Sequence, residues 1–228
     1  MKTNLLAYLL FVSTITTICQ EPNHYGFGGI KTGIFSYKGV SNFNEQLLAA
    51  GQKELPEFGF SAGGYYYSQF GMFGMGAEGI AIFCNSKVNP PGLKVNLNTY
   101  QASWNLGINV FGKTIKTRLE PFIGIAFNLT QFIATSHDTL ITFNQFLSGA
   151  QNMYFEQSNA GILFNSGIRF SKHFSNQKRY FGVMAQFDYF GMLNKMKWSI
   201  PDMPIQKLSG LNFSLGFLIG FKRIEIEK

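Results

Sequence analysis

Residues 118–132 read RLEPFIGIAFNLTQF, and the fold assignment turns on this stretch. Taken every second residue, it splits into two unlike lists. Leu119, Pro121, Ile123, Ile125, Phe127 and Leu129 fall on one side; Arg118, Glu120, Phe122, Gly124, Ala126, Asn128 and Thr130 fall on the other. A period of two is the signature of an extended strand with two different faces. Large aliphatic groups on one face, with charge, amide and glycine on the other, fit two settings. One is the half-buried strand of a soluble sandwich. The other is the strand of a membrane barrel, with lipid outside and a tight polar interior.

The pattern recurs along the chain. In LNFSLGFLIGFK (211–222), Leu211, Phe213, Leu215, Phe217, Ile219 and Phe221 share a face opposite Asn212, Ser214, Gly216, Leu218, Gly220 and Lys222. Trp104, Leu106, Ile108 and Val110 oppose Gln101, Ser103, Asn105 and Asn109, and Ile162, Phe164, Ile168 and Phe170 oppose Asn165, Gly167 and Arg169. Faces this continuous far exceed the apolar patch a soluble protein leaves in water. Composition agrees: 16% of the residues are aromatic and 14% charged, with 25 Phe and 25 Gly among 228 residues. A soluble domain carries about 25% charged residues.

Eight strands are expected, at 25–37, 57–69, 72–85, 95–111, 116–132, 157–172, 179–190 and 209–223. The connections alternate strictly. Those at 38–56, 86–94, 133–156 and 191–208 are long, and those at 70–71, 112–115 and 173–178 are short. Long loops at one end and tight turns at the other are what an up-and-down barrel produces. The expected fold is therefore all-β: an eight-stranded antiparallel up-and-down transmembrane β-barrel with a filled polar lumen.

Residues 1–19, MKTNLLAYLLFVSTITTIC, have the outline of a secretory signal peptide, with Lys2, the apolar run Leu5–Val12 and small residues before the end. The barrel domain then occupies 20–228. Acylation of Cys19 is the alternative, against which Ile18 before it is a poor fit. No later segment approaches the ~20 unbroken apolar residues of a membrane helix. With Cys19 removed, Cys84 stands alone and makes no internal disulfide.

The face assignment sends Lys31, Glu78, Arg118, Glu120, Arg169, Asp188 and Lys222 inward. An eight-stranded barrel is wide enough only for its own side chains, so these charges are expected to pair into a plug. Arg118, Glu120, Arg169 and Lys222 are placed towards the short-turn end, with Lys31 and Glu78 near mid-height. Aromatic residues near strand ends (Tyr37, Tyr65, Tyr66, Tyr67, Tyr100, Tyr180, Phe181, Tyr189 and Phe190) are read as girdles at the two water–lipid boundaries.

Catalytic signals are thin. The three histidines are His24, His137 and His173. Ser136-His137-Asp138 has triad residue types, but neighbours on a strand point apart, and a triad is recognised by geometry. His173 is assigned to a short turn, away from His137. No metal-ligand spacing, cofactor motif or basic stripe interleaved with stacking aromatics occurs, so no cofactor and no nucleic acid is expected.

The long loops carry the candidate contact surface. Residues 41–55, SNFNEQLLAAGQKEL, suggest a short helix around Leu47 and Leu48, with Asn42 and Glu45 as a capping box. The third loop brings Phe143, Phe146 and Tyr154; the fourth brings Met196 and Trp198 beside Lys195, Lys197 and Lys207. These apolar loops either pack on one another to cap the barrel or dock a partner. The formal charge of +7 suits anionic headgroups or lipopolysaccharide phosphates.

The signal peptide, the Gln at the mature start, the Gly/aromatic strands and the barrel length together resemble the small outer-membrane β-barrel proteins of the Bacteroidetes, broadly similar to OmpA/OmpX-like and PorT-like barrels. The resemblance spans residues 25–223 and departs at the end, where KRIEIEK follows Phe221. It implies an outer-membrane protein that meets lipid and lipopolysaccharide, and another outer-membrane or secretion-system protein. The expected role is a non-enzymatic scaffold, adhesin or accessory subunit acting through its outer loops. Uptake of small apolar molecules is the alternative, for which Asp188, Gln186 and Asn128 make the expected lumen too polar. A lipid-modifying enzyme is the third.

Overall fold

The computed structural model describes residues 24–86, 94–112, 116–135, 154–176, 179–198, 203, 205 and 207–222. Residues 1–19, read above as a leader, Ser136-His137-Asp138, Phe143 and Phe146 lie outside the described residues, as does the end of the chain beyond Lys222.

Among the described residues the strands are β1 (His24–Lys38), β2 (Phe58–Phe70), β3 (Phe73–Asn85), β4 (Lys94–Ile108), β5 (Thr117–Thr135), β6 (Tyr154–Asn176), β7 (Arg179–Met192) and β8 (Ser209–Lys222), with a helix, α1 (Ser41–Ala49), after β1. Each strand pairs antiparallel with its sequence neighbour, and β1 also pairs with β8, from Tyr25↔Lys222 to Lys38↔Ser209. The sheet is a closed barrel with no free lateral edge along its main wall.

The short connections are built by local chemistry. Between β2 and β3 the turn is residues 71–72, with Gly71 at φ 61°, the positive φ that a two-residue hairpin requires. After β4, the Asn109 side chain donates to the Gly112 carbonyl (2.9 Å) and accepts from the Phe111 N–H (3.3 Å), an Asx-type turn. These turns mark the inner end of the barrel. The opposite, outer end carries α1 and the described part of the connection after β7.

The two faces of each strand separate as the alternation requires. Ile123, Ile125, Phe127 and Leu129 of β5 are exposed, while Arg118, Glu120, Phe122, Asn128 and Thr130 are buried. Phe213, Leu215, Phe217 and Ile219 of β8 do the same against Asn212 and Ser214. The result is a continuous apolar belt around the outside, a surface stable against hydrocarbon and not against water.

Two strands run further than their sequence pattern first suggests. β5 continues to Thr135 and β6 spans Tyr154–Asn176, so Tyr154 and Phe155 belong to a strand and not to the third loop. His173 likewise lies within β6, not in a turn. The alternation simply continues through Ser171 (in), Lys172 (out), His173 (in) and Phe174 (out).

The girdle assignment needs a larger correction. Tyr66, Tyr100, Phe181 and Tyr189 do face outward, but Tyr37, Tyr65, Tyr67 and Phe190 point into the lumen. Position near a strand end does not set direction; the phase of the alternation does. The side chain of Tyr180 is outside the described set. Tyr67 finds room because Gly74 has no side chain: a Cβ there would sit 1.2 Å from the Tyr67 hydroxyl.

Candidate functional sites in the lumen and at the outer rim

The lumen has two tiers of opposite character. The lower tier holds the charges. Glu78 on β3 binds Lys31 of β1 (2.7 Å) and Arg169 of β6, and Arg169 reaches on to Glu120 of β5 (3.1 Å), which in turn binds Arg118. This chain of five groups crosses the barrel, linking residues up to 91 positions apart in sequence. All five side chains are nearly inaccessible to solvent. Buried charges persist only when paired and hydrogen-bonded; Arg118 Nε has no hydrogen-bond partner among the described residues, whereas the donors around Arg169 are used. Arg169 Nε donates to Gln186 (2.9 Å), and Gln186 donates to Glu78 (3.2 Å).

Aromatic faces complete the tier. Both guanidinium groups lie over Tyr67, with Arg118 and Arg169 at 4.5 and 5.1 Å from its ring centre, and Phe122 takes Arg169 at 5.0 Å. A desolvated cation over a ring gains electrostatic stabilisation that water would otherwise screen.

Six of the seven residues assigned inward from the sequence are buried in the lumen; the seventh, Lys222, has its backbone in β8 and its side chain outside the described set. Asp188 differs from the expectation that every charge pairs with another. Its carboxylate accepts from the amides of Gln186 (3.0 Å) and Asn212 (3.3 Å), and no ion pair reaches it among the described residues. Asn212 in turn accepts from Ser61 (2.9 Å).

The upper tier is mostly apolar, in contrast to the ionic tier below. Phe35, Ile82, Leu97, Phe132 and Phe190 line the wall, and Phe43 and Leu47 of α1 enter from above. Leu55 and, from the connection after β7, Met196, Met203, Ile205 and Leu208 close it. Phe43 meets Phe132 edge-on at 5.5 Å, and Trp198 packs on Phe132 from the other side at 6.3 Å. Polar groups stand beside this packing: Asn128 donates to Thr130 (3.0 Å), and both are buried in the lumen with Thr99.

The outer loops are thus partly a cap. Leu47 and Met196, assigned to a contact surface from the sequence, are buried in the plug, and Trp198 is half-buried with its indole N–H donated to the Ile205 carbonyl. Leu48 and Tyr154 are exposed and remain available. The helix also starts differently. Its N-cap is Val40, with no side-chain cap, so Asn42 and Glu45 form no capping box. Asn44 holds the segment instead, donating to the Leu55 carbonyl (2.9 Å) and accepting from the Leu55 N–H (3.0 Å). That clamp folds the returning chain onto α1. A buried amide bracketing a backbone eleven residues on leaves no sequence signature, which is why it escapes a pattern reading.

No catalytic constellation assembles among the described residues. His173 pairs with Ser171 (3.1 Å) and stacks edge-on against Phe27, while its Nδ1 has no hydrogen-bond partner, so no acid orients the ring. No cluster of His, Cys, Asp and Glu among the described residues has metal-binding geometry. Cys84 is buried, its thiol donating to the Pro56 carbonyl.

No family model and no curated protein matches the chain. Solved structures do. A major outer membrane protein of Thermus thermophilus is similar over 86% of this chain and 99% of its own, with 9% identity and a TM-score of 0.53. Ail, the attachment invasion locus protein of Yersinia pestis, solved with the heparin analogue sucrose octasulfate, matches over 86% and 99% with 11% identity and a TM-score of 0.47. OprG of Pseudomonas aeruginosa matches over 88% and 96% with 15% identity and a TM-score of 0.41. At such identities the likeness is one of fold, and the Thermus barrel carries it: this chain has the fold of an outer-membrane β-barrel, with the lipid-facing belt such a barrel needs.

Proposed function

We propose that the protein is a non-enzymatic outer-membrane barrel that acts as a scaffold, adhesin or accessory subunit through its outer end. The filled lumen is the observation that supports this most. An ionic tier below and an apolar plug above occupy the interior, which directs function to the exterior. Leu48 and Tyr154 supply exposed apolar area at the outer rim. The Bacteroidetes-type reading, OmpA/OmpX-like or PorT-like, stands with this on the Gly/aromatic strands and the Gln following the leader. Its partners are then outer-membrane lipid, lipopolysaccharide and a second outer-membrane or secretion-system protein.

Mild-detergent extraction of the tagged protein from its own membrane tests the reading. A stoichiometric companion lost in Leu48→Asp and Tyr154→Ala is the expected result. Open-channel conductance in a planar bilayer, or altered lipid A on deletion, would refute it. The apolar upper tier favours a second reading, binding of a small apolar molecule beneath α1. It requires the plug to move, and a cross-link holding α1 to β5 would then abolish binding.

A further inference from the structure

The wall of the barrel is not equally tall all round. β6 pairs with β5 from Tyr154 to Lys172, but with β7 only from Leu163 downward. At the step, the chain leaving β7 crosses over: Leu193 donates its N–H to the Ile162 carbonyl (2.9 Å), and the Asn194 side chain accepts from the Ile162 N–H (2.8 Å). Backbone groups on a strand alternate in direction, so Ala160 and Ser158 turn their N–H and C=O groups the same way as Ile162. No described strand pairs with them there. They face a cavity of about 590 Å³ lined by Ser158, Asn159, Ala160, Asn194, Lys195 and Lys197.

The cavity's height and charge are both informative. Directly beneath it the apolar belt ends, with Leu129, Ile162 and Leu193 all exposed. Above Ile162 the outward residues become Ala160, Ser158 and Glu156, so the cavity sits at the boundary between hydrocarbon and water. Lys195 and Lys197, both exposed, line it beside the edge of β6, where no described strand pairs with Ser158 or Ala160. Buried Asn159 donates to the Lys197 carbonyl and fixes the loop against the strand. The nearest carboxylate along the strand, Glu156, is engaged by Tyr154 and Gln131.

We propose that this notch binds the phosphate-bearing headgroup of an outer-leaflet lipid, whose acyl chains lie on Leu129, Ile162 and Leu193. Two exposed lysines and strand-edge N–H donors with no partner strand among the described residues, grouped at headgroup depth, suit an anionic phosphate, and the volume is within the range of ligand pockets. The inference rests on the belt being lipid-facing.

The test uses the full-chain barrel in detergent, titrated with phosphatidic acid or phosphatidylcholine and read by native mass spectrometry. A single retained phosphatidic acid is expected, with affinity falling at least about tenfold in Lys195→Gln/Lys197→Gln. The control Lys53→Gln/Lys172→Gln removes the same charge elsewhere and is expected to leave binding unchanged. Ser158→Pro, which deletes an edge N–H, is expected to weaken retention without altering the heat-modifiable gel shift. Equal loss in the control pair, or no retention by the unmodified protein, overturns the proposal. Displacement by inorganic phosphate at comparable concentration overturns the lipid as source. Failure of the belt reading is separately visible as failure to insert into phosphatidylcholine vesicles.

Discussion

Replacing Arg169 by Met is the sharpest test of the lumen. Arg169 is the one residue of the ion-pair chain that holds both Glu78 and Glu120, and its Nε also binds Gln186. Met keeps much of the volume and removes the charge. Among the described lumen groups, three cations (Lys31, Arg118, Arg169) now face three carboxylates (Glu78, Glu120, Asp188); the variant leaves two facing three. Breaking a buried pair by deleting one partner costs about 3–5 kcal/mol, because the abandoned charge stays buried. With a urea dependence of about 2–3 kcal/mol per molar, the unfolding midpoint falls by about 1–2.5 M. Unfolding in lipid vesicles can be followed by fluorescence, since Trp104 lies on the lipid face and Trp198 in the plug. Gel migration with and without boiling gives an independent reading. Lys31→Met should cost less, because Glu78 keeps Arg169, and exposed Lys172→Met should be near neutral. A loss below about 1 kcal/mol for Arg169→Met, the size of an ordinary surface change, would refute the account of the lower tier as a closed ion-pair network.

Other outcomes follow from the same geometry. Asn44→Ala leaves the buried Leu55 N–H and carbonyl without partners and should destabilise the α1 return by about 1–3 kcal/mol, seen as faster proteolysis or hydrogen exchange within 41–55. Leu47→Asp should release the plug to protease while Leu48→Asp, one residue along but exposed, leaves it resistant. Gly74→Ala should displace Tyr67 from under the arginines, and the penalty should shrink in a Tyr67→Leu background by roughly 1 kcal/mol or more in a double-mutant cycle. His137→Ala should leave lipid A and phospholipid profiles unchanged, as a non-enzymatic role requires; an altered profile that tracks with the substitution would revive the enzyme.

The barrel itself is written in the chain. Strand number, the outward face of RLEPFIGIAFNLTQF and the alternation of long and short connections are all local properties, carried by the period-two pattern and its interruptions. The inward placement of Arg118, Glu120 and Arg169 is equally local, since the phase of one strand fixes it. What those groups touch was settled only by closure. Glu78 meets Lys31 and Arg169 because β3, β1 and β6 face one another across the lumen, and no spacing in the chain encodes that approach. The same holds for the tyrosines. Tyr65, Tyr66 and Tyr67 form an unbroken aromatic run in which the alternation is invisible, so their directions depend on the pairing of β2 with β1 and β3. The apolar upper tier is a further step removed. Phe43, Leu47 and Met203 read as loop residues until the barrel provides walls for them to pack against. The notch beside β6 needs even more than closure: it exists because two neighbouring strands end at different heights, β6 running up to Tyr154 beyond the bound read from its pattern while β7 stops at Met192.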